Sequence, residues 1–282
     1  MRRGLAPSPA PEGPVVEPTI EPKVEKEFDE ELAFAHELAD LAGEIGLGYF
    51  RGSFEVTIKP DRTPVTEADL SIESAIRDAV KERYPGDSVL GEEGGLQGDG
   101  RRRWIVDPID GTKNFADGVQ IWSNLIALAV DDEPVLGVVN LPALGERYDA
   151  SRGGGARMNG APIHVSRTDR VPRSFVVFAG MGDWLSGPYA AGVRQLVSDA
   201  RRDRGFGDAW GHCLVARGSA DVMLELELST WDFAALQVIV EEAGGRITQF
   251  DGAPLVHGGT VLTTNGSLHE EIVARLQPGV GS

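Results

Sequence analysis

Cys213 is the only cysteine in 282 residues. No internal disulfide can form, and a reducing compartment fits that usage. No apolar run approaches the ~20 residues needed to cross a membrane. Met1-Arg2-Arg3 is basic, but Pro, Glu and Gly follow it where a signal sequence would place an apolar core. A cytoplasmic protein is therefore expected. Basic residues are outnumbered: 27 Lys and Arg face 44 Asp and Glu, a formal net charge of −17. That argues against binding the phosphate backbone of nucleic acid. It leaves a small phosphate ester possible, because bound cations would set the local field.

Other signatures are missing too. No G-x-G-x-x-G follows a strand and opens a helix, which speaks against a dinucleotide site. Gly153-Gly154-Gly155 is not followed by Lys-Ser or Lys-Thr, so it reads as a hairpin and not as a phosphate-binding loop. Histidines 36, 164, 212, 257 and 269 sit in no motif with a Cys or Ser partner and read as surface or capping residues.

What stands out is W-I-V-D-P-I-D-G-T-K-N-F at 104–115. Trp104, Ile105 and Val106 read as the end of a buried strand. Pro108 cannot donate to a ladder and stops it. Asp107 and Asp110 thus sit at a strand end, where Gly111 and Thr112 suit a tight turn and a helix start. Carboxylates can hold hard cations such as Mg²⁺. Free N–H groups at a helix start can hold a phosphate beside them. Asp-Gly is also common in plain surface turns, but an apolar strand running into two acids weakens that reading.

The rest of the chain supplies context. Residues 1–27, rich in Pro and Glu, cannot bury enough apolar surface and read as a disordered tail. Residues 28–50 carry Leu32, Ala35, Leu38, Ala39, Ala42 and Ile45 at helical spacing. Thr66 is a helix cap that Asp69 can answer, ahead of Ile72, Ile76 and Val80. Ser88–Gly91 is a short strand, with Glu92-Glu93 at its end pointing to opposite sides. Residues 94–103 read as a surface hairpin loop. Strands follow at 122–130 and 134–141, with strand-like pieces at 145–158. Beyond residue 170 strands and helices alternate: a strand at 174–179, helices at 188–202 and 213–217, a strand at 221–228 and a helix at 231–243. The pattern is of the α/β kind.

The chain resembles the inositol monophosphatase family of Mg²⁺-dependent phosphatases. The resemblance rests on the stretch at 104–115 together with V-T-E-A-D at 65–69, G-E-E at 91–93 and W-D-x-A-A-x-x-x-I-V-x-E-A-G-G at 231–245. It covers roughly residues 30–276. It implies a layered αβαβα sandwich of the inositol monophosphatase/fructose-bisphosphatase type, an α/β (α+β) fold. The organisation expected is a tail at 1–27, an α+β half at 28–170 that binds metal and phosphate, and an α/β half at 171–282.

Carried over position by position, Glu92, Asp107 and the Ile109 carbonyl would hold one Mg²⁺. Asp107, Asp110 and Asp232 would hold a second. A third, weaker ion would touch Glu92 and Asp69. Thr112, with Asp69, would orient the attacking water, and the N–H groups of Gly111 and Thr112 would grip the phosphate. Asp69 and Asp232 also have plain readings as helix caps. At the alcohol side the resemblance places Asp208 and Glu225, two acids where a neutral polyol needs no such pair and a cationic amine does. G-D-x-x-x-x-C-L-V-A-R-G at 207–218, K-P-D-x-T-P-V-T-E-A-D at 59–69 and H-G-G at 257–259 are similar to the family's histidinol-phosphate phosphatases. L-Histidinol phosphate is the expected substrate, with inositol-1-phosphate or a broader sugar phosphate as the alternative. A homodimer is implied as well. A phosphatase that forms an aspartyl-phosphate would need aspartates one residue apart, whereas Asp107 and Asp110 are three apart. A catalytically dead binding protein would lack a ligand, and none of the acids is missing.

Overall fold

The computed structural model describes residues 27–52, 56–58, 64–184, 186–256 and 258–276. The expected tail, apart from its last residue, lies outside them, as do residues 59–63 and His257. The chain runs α1 (Asp29–Tyr49), β1 (Val56–Ile58), β2 (Pro64–Thr66), α2 (Glu67–Arg83), β3 (Ser88–Gly91), β4 (Gly95–Gln97), β5 (Arg102–Asp110) and α3 (Thr112–Ala116). Then come β6 (Ser123–Val130), β7 (Glu133–Leu141), β8 (Glu146–Ser151), β9 (Gly155–Met158) and β10 (Ala161–Pro162). A single 3-10 turn leads to β11 (Phe175–Phe178), α4 (Met181–Trp184), α5 (Ala190–Asp199), β12 (Arg202–Gly205) and α6 (Asp208–Ala216). The chain continues through β13 (Val222–Leu228), α7 (Thr230–Glu242), β14 (Arg246–Thr248), β15 (Gly259–Thr264) and α8 (His269–Arg275).

One sheet has eight strands in the order β10-β9-β8-β7-β6-β5-β3-β4, antiparallel except where β3 meets β5. A second has five, β12-β11-β13-β15-β14, in which β11 runs parallel to both its neighbours. β1 and β2 form a separate hairpin. Alternation along β5 explains the layering. Trp104 and Val106 face one way, into a core with Leu38 of α1 and with Ile72 and Ile76 of α2. Ile105 faces the other way, with Leu125 and Val139, onto Phe233 and Ile239 of α7. On α6, Ala209 and Cys213 belong to that same layer, while Leu214 and Val215 meet Phe175, Val177 and Met223 of the second sheet. The far face of that sheet, with Val176 and Leu224, is covered by Val193 of α5 and Ile272 of α8. The result is the expected α/β/α/β/α sandwich. At Gly137 of β7 a Cβ would stand 2.4 Å from the Ala235 carbonyl oxygen, so glycine lets α7 lie directly on the sheet.

Three local expectations shift. The helix expected over 188–202 ends at Asp199, and Arg202–Gly205 becomes an edge strand beside β11. That stretch, R-D-R-G, has no apolar alternation to announce a strand, as suits an exposed edge. The helix expected at 213–217 starts at Asp208, with Gly207 as its cap. Part of the expected 94–103 loop is β4, paired with β3. Among the described residues no helix is long and apolar enough to cross a membrane.

Candidate active site

Strict alternation would send Asp107 and Asp110, three residues apart, to opposite faces of the sheet. The register shifts between them: Asp107 stands opposite Leu125 and Asp110 opposite Ser123. Three steps on β5 thus answer two on β6, a bulge that turns both carboxylates to one side. Pro108 and Ile109 fill it. Asn124 Nδ2 donates to the Pro108 carbonyl at 2.6 Å, and the Ile109 side chain enters the core under α1 and α2. Gly111 follows at φ 79°, a left-handed turn that glycine adopts freely. Thr112 then opens α3, and its hydroxyl donates to the Ile109 carbonyl at 2.9 Å.

The other acids arrive from separate elements. Asp69 is buried in the first turn of α2, where its Oδ2 accepts from the Thr66 N–H at 2.8 Å and the Thr66 hydroxyl at 2.5 Å. Glu92 follows β3 directly. Asp232 sits in the first turn of α7 and accepts from the Ser229 N–H at 2.6 Å. Asp110 Oδ2 accepts from Ser123 Oγ at 3.0 Å and from the Ala209 N–H at 2.9 Å. The helix-cap readings of Asp69 and Asp232 therefore hold, but each cap uses only one carboxylate oxygen.

The electrostatics show what remains. Burial pushes Asp107 well above the usual carboxylate range, and Glu92, Asp110, Asp232 and Asp69 push it the same way. Asp110 is also raised well above that range by burial, then by Asp208 and Glu225. Burial lifts Asp69 to about 6 against the pull of its Thr66 hydrogen bonds. It lifts Asp232 to about 7, with Asp107 close enough to share a proton with it. Asp69 Oδ1 and Asp107 Oδ1 are buried with no hydrogen-bond partner. Anionic oxygens held in this way are costly, and hard cations taking oxygen ligands answer them. An all-oxygen donor set suits Mg²⁺ better than a softer metal. Among the described residues, however, no three His, Cys, Asp or Glu side chains are already gathered into a cage for a cation.

Asp208 and Glu225 lie beside this cluster. Asp208, at the start of α6, has a left-handed backbone (φ 57°), and its Oδ2 accepts from Asn114 Nδ2 of α3 at 2.8 Å. Glu225 of β13 is buried and pushed up to about 8, first by burial and then by Asp208. A cavity of about 530 Å³ lies elsewhere, lined by His36, Asn140 and Arg147, and holds none of these acids.

Several buried polar residues escape a sequence reading. His212 is fully buried between Thr263 and Glu225, and His269 is fully buried between Thr248 and Thr264. Neither reaches the surface, because each has found polar partners inside the core. The only signal for His212 is its place four residues after Asp208, on the same helical face. Glu73, one turn after Asp69, accepts from the N–H groups of Glu93 and Gly94 and pairs with Arg77. It thus holds the turn that carries Glu92.

Comparison with known proteins gives a consistent picture. A model of the inositol monophosphatase family matches residues 27–280. A histidinol-phosphatase from Mycobacterium tuberculosis is 43% identical over 258 residues, covering 89% of this chain and 99% of that protein. One from Streptomyces coelicolor is 40% identical over 260 residues, with 89% and 98% covered. Among solved structures, an inositol monophosphatase from Zymomonas mobilis superposes with a TM-score of 0.80 at 31% identity, covering 89% of this chain and 99% of that one.

Proposed function

The chain belongs to the inositol monophosphatase family, and on that premise we propose that it hydrolyses L-histidinol phosphate to L-histidinol and inorganic phosphate with Mg²⁺. Glu92, Asp107 and the Ile109 carbonyl would hold one cation and Asp107, Asp110 and Asp232 a second; Glu92 and Asp69 would touch a third. The buried oxygens of Asp69 and Asp107 that lack a donor support that assignment. Bound there, the ions would lower the pKa of a water and neutralise charge at the attacked phosphorus. Thr112 and Asp69 orient the attacking water, and the N–H groups of Gly111 and Thr112 hold the phosphate oxygens.

The observation that carries the substrate is the neighbourhood of Asp110. After burial, the groups that raise it most are Asp208 and Glu225, so two further acids stand beside it, and we assign them to the leaving-alcohol side. A protonated amine offsets part of this negative charge, and Glu225, displaced to about 8 without a cation, becomes ionised beside it. The relatives named histidinol-phosphatase support the same substrate. The reading includes a cytoplasmic homodimer. Free, buried Cys213 supports the compartment, and sedimentation would test the assembly.

The deciding experiment measures phosphate release from L-histidinol phosphate and from inositol-1-phosphate, with Mg²⁺ and with EDTA. Release should stop in EDTA. The amine ester should lead in kcat/KM by about tenfold or more, the worth of one charge-assisted contact. Inositol-1-phosphate as the better substrate would replace this reading with a polyol-phosphate phosphatase.

A further inference from the structure

We infer that His212 is a positioning residue for substrate selection: braced by Thr263, it fixes which oxygen of Glu225 is offered to the amine of the ester. This rests on the reading of Asp208 and Glu225 as the amine-binding pair.

The brace joins three elements. His212, on α6, is fully buried. Its Nδ1 lies 2.7 Å from Thr263 Oγ1 on β15 and its Nε2 lies 3.0 Å from Glu225 Oε2 on β13. Burial pushes the imidazole down to about 3, so the ring is neutral and has one donor and one acceptor. An ionised carboxylate can only accept, whereas a threonine hydroxyl can donate. With an amine holding Glu225 ionised, Nε2 must therefore carry the hydrogen and donate to Glu225, while Nδ1 accepts from Thr263. The ionised Glu225 sets the tautomer, and Thr263, donating to Nδ1, holds the ring in place against the carboxylate.

The second hold on Glu225 is the Asp208 N–H, which donates to it. That N–H belongs to a residue kept at φ 57°, a conformation that non-glycine residues rarely adopt. α6 thus grips Glu225 twice, at its first residue and one turn later at His212. Asp208 adds its own charge beside Glu225. Neither His212 nor Thr263 belongs to the acid cluster around Asp107, so the brace can change selection without changing phosphate chemistry.

The test compares His212→Met, which keeps bulk and loses both hydrogen bonds, with His212→Gln, whose Nε2 can still donate to Glu225. KM and kcat are measured on L-histidinol phosphate and on inositol-1-phosphate with Mg²⁺. For His212→Met, KM for the amine ester should rise about tenfold, the worth of one lost contact to a charged group, with kcat little changed. The constants for the amine-free ester should hold, and His212→Gln should restore most of the loss. Thr263→Val, which removes the hold on Nδ1 but keeps the ring, should move the same KM in the same direction. It serves as the test if His212→Met fails to fold. Equal losses on both esters, or a Gln variant no better than Met, overturn the brace. A wild-type enzyme without preference for the amine ester sinks the amine reading itself. A wild-type preference that survives in His212→Met and in Thr263→Val sinks the brace alone.

Discussion

Glu73 and Asp107 are both buried carboxylates, 3% and 2% exposed, and the fold treats them oppositely. Glu73 Oε1 takes the Gly94 N–H and the Arg77 guanidinium, and Oε2 takes the Glu93 N–H, all at 2.8 Å. Arg77 in turn donates to the carbonyls of Val89 and Gly95. Asp107 has one oxygen with no donor, and Glu92, Asp110, Asp232 and Asp69 all push its pKa up. Burial alone therefore does not mark a functional acid. The mark is burial without a partner, because a fold that needed the charge only for stability would have matched it. Asp69 shows both treatments in one side chain: Oδ2 caps α2 through Thr66, while Oδ1 is unmatched.

The comparison breaks or holds first at Asp107. Asp107→Asn should lower turnover by about 10³-fold or more, since one oxygen of the proposed cation site would be lost. In EDTA at neutral pH its melting temperature should equal or exceed that of the wild type, because a repelled buried charge is gone. Near-normal turnover with Mg²⁺ would remove Asp107 from the metal site.

Glu73→Gln should give the opposite pattern. The amide can keep one N–H acceptor but faces the other N–H with its own donor, and it leaves Arg77 without a counter-charge. The ion pair is well buried, with side chains 4% and 11% exposed. Breaking such a pair should destabilise the protein by about 3 kcal/mol. Denaturant melts with and without Mg²⁺ should show the loss in both. A loss seen only with Mg²⁺ would mean that Glu73 serves the cation directly and that the contrast with Asp107 is false.

The unmatched acids also predict a pH dependence. Folding raises Asp69 to about 6 and Asp232 to about 7, above their unfolded values, so in the metal-free protein the folded state binds more protons across that window. The stability they contribute should be full below about pH 4 and be lost as pH rises through these folded values, by several kcal/mol in all. Saturating Mg²⁺ should remove most of the fall. A metal-free melting temperature that is flat or rises from pH 5 to 8 would show that these carboxylates are already matched.

Much of this was legible from the residues. The acids at 107 and 110, the Thr66–Asp69 cap and the alternation of strands and helices past residue 170 needed no coordinates. The bulge at Pro108 did: alternation places Asp107 and Asp110 on opposite faces, and only the register against β6 corrects it. Glu73 went unnoticed because its N–H partners lie 20 and 21 residues away. His212 went unnoticed because its neighbours Cys213 and Leu214 are core residues and its partner Thr263 is 51 residues on. Long-range polar pairing leaves no periodic trace in a sequence, so the parts of the site that depend on it appear only once the chain is folded.

Asp208 stands between the two kinds of carboxylate and gives the smallest and most specific prediction. Its Oδ2 is matched by Asn114, while burial pushes its pKa up against the opposing pull of Lys113, His212 and that hydrogen bond. Asp208→Asn keeps the shape, and asparagine tolerates the left-handed backbone at this position, so the melting temperature should hold. What it removes is one negative charge at the proposed leaving-group end. For L-histidinol phosphate, kcat/KM should fall about tenfold, the lower worth of a charge-assisted contact. For inositol-1-phosphate it should hold or rise slightly, because the phosphate grip proposed at Gly111 and Thr112 is untouched. The paired measurement of both esters and the melt decides the role. A tenfold loss on one ester at constant stability makes Asp208 an acid kept for an amine. Equal losses with a lowered melting temperature would make it a structural acid of the Glu73 kind, held in place by Asn114 and needed for α6.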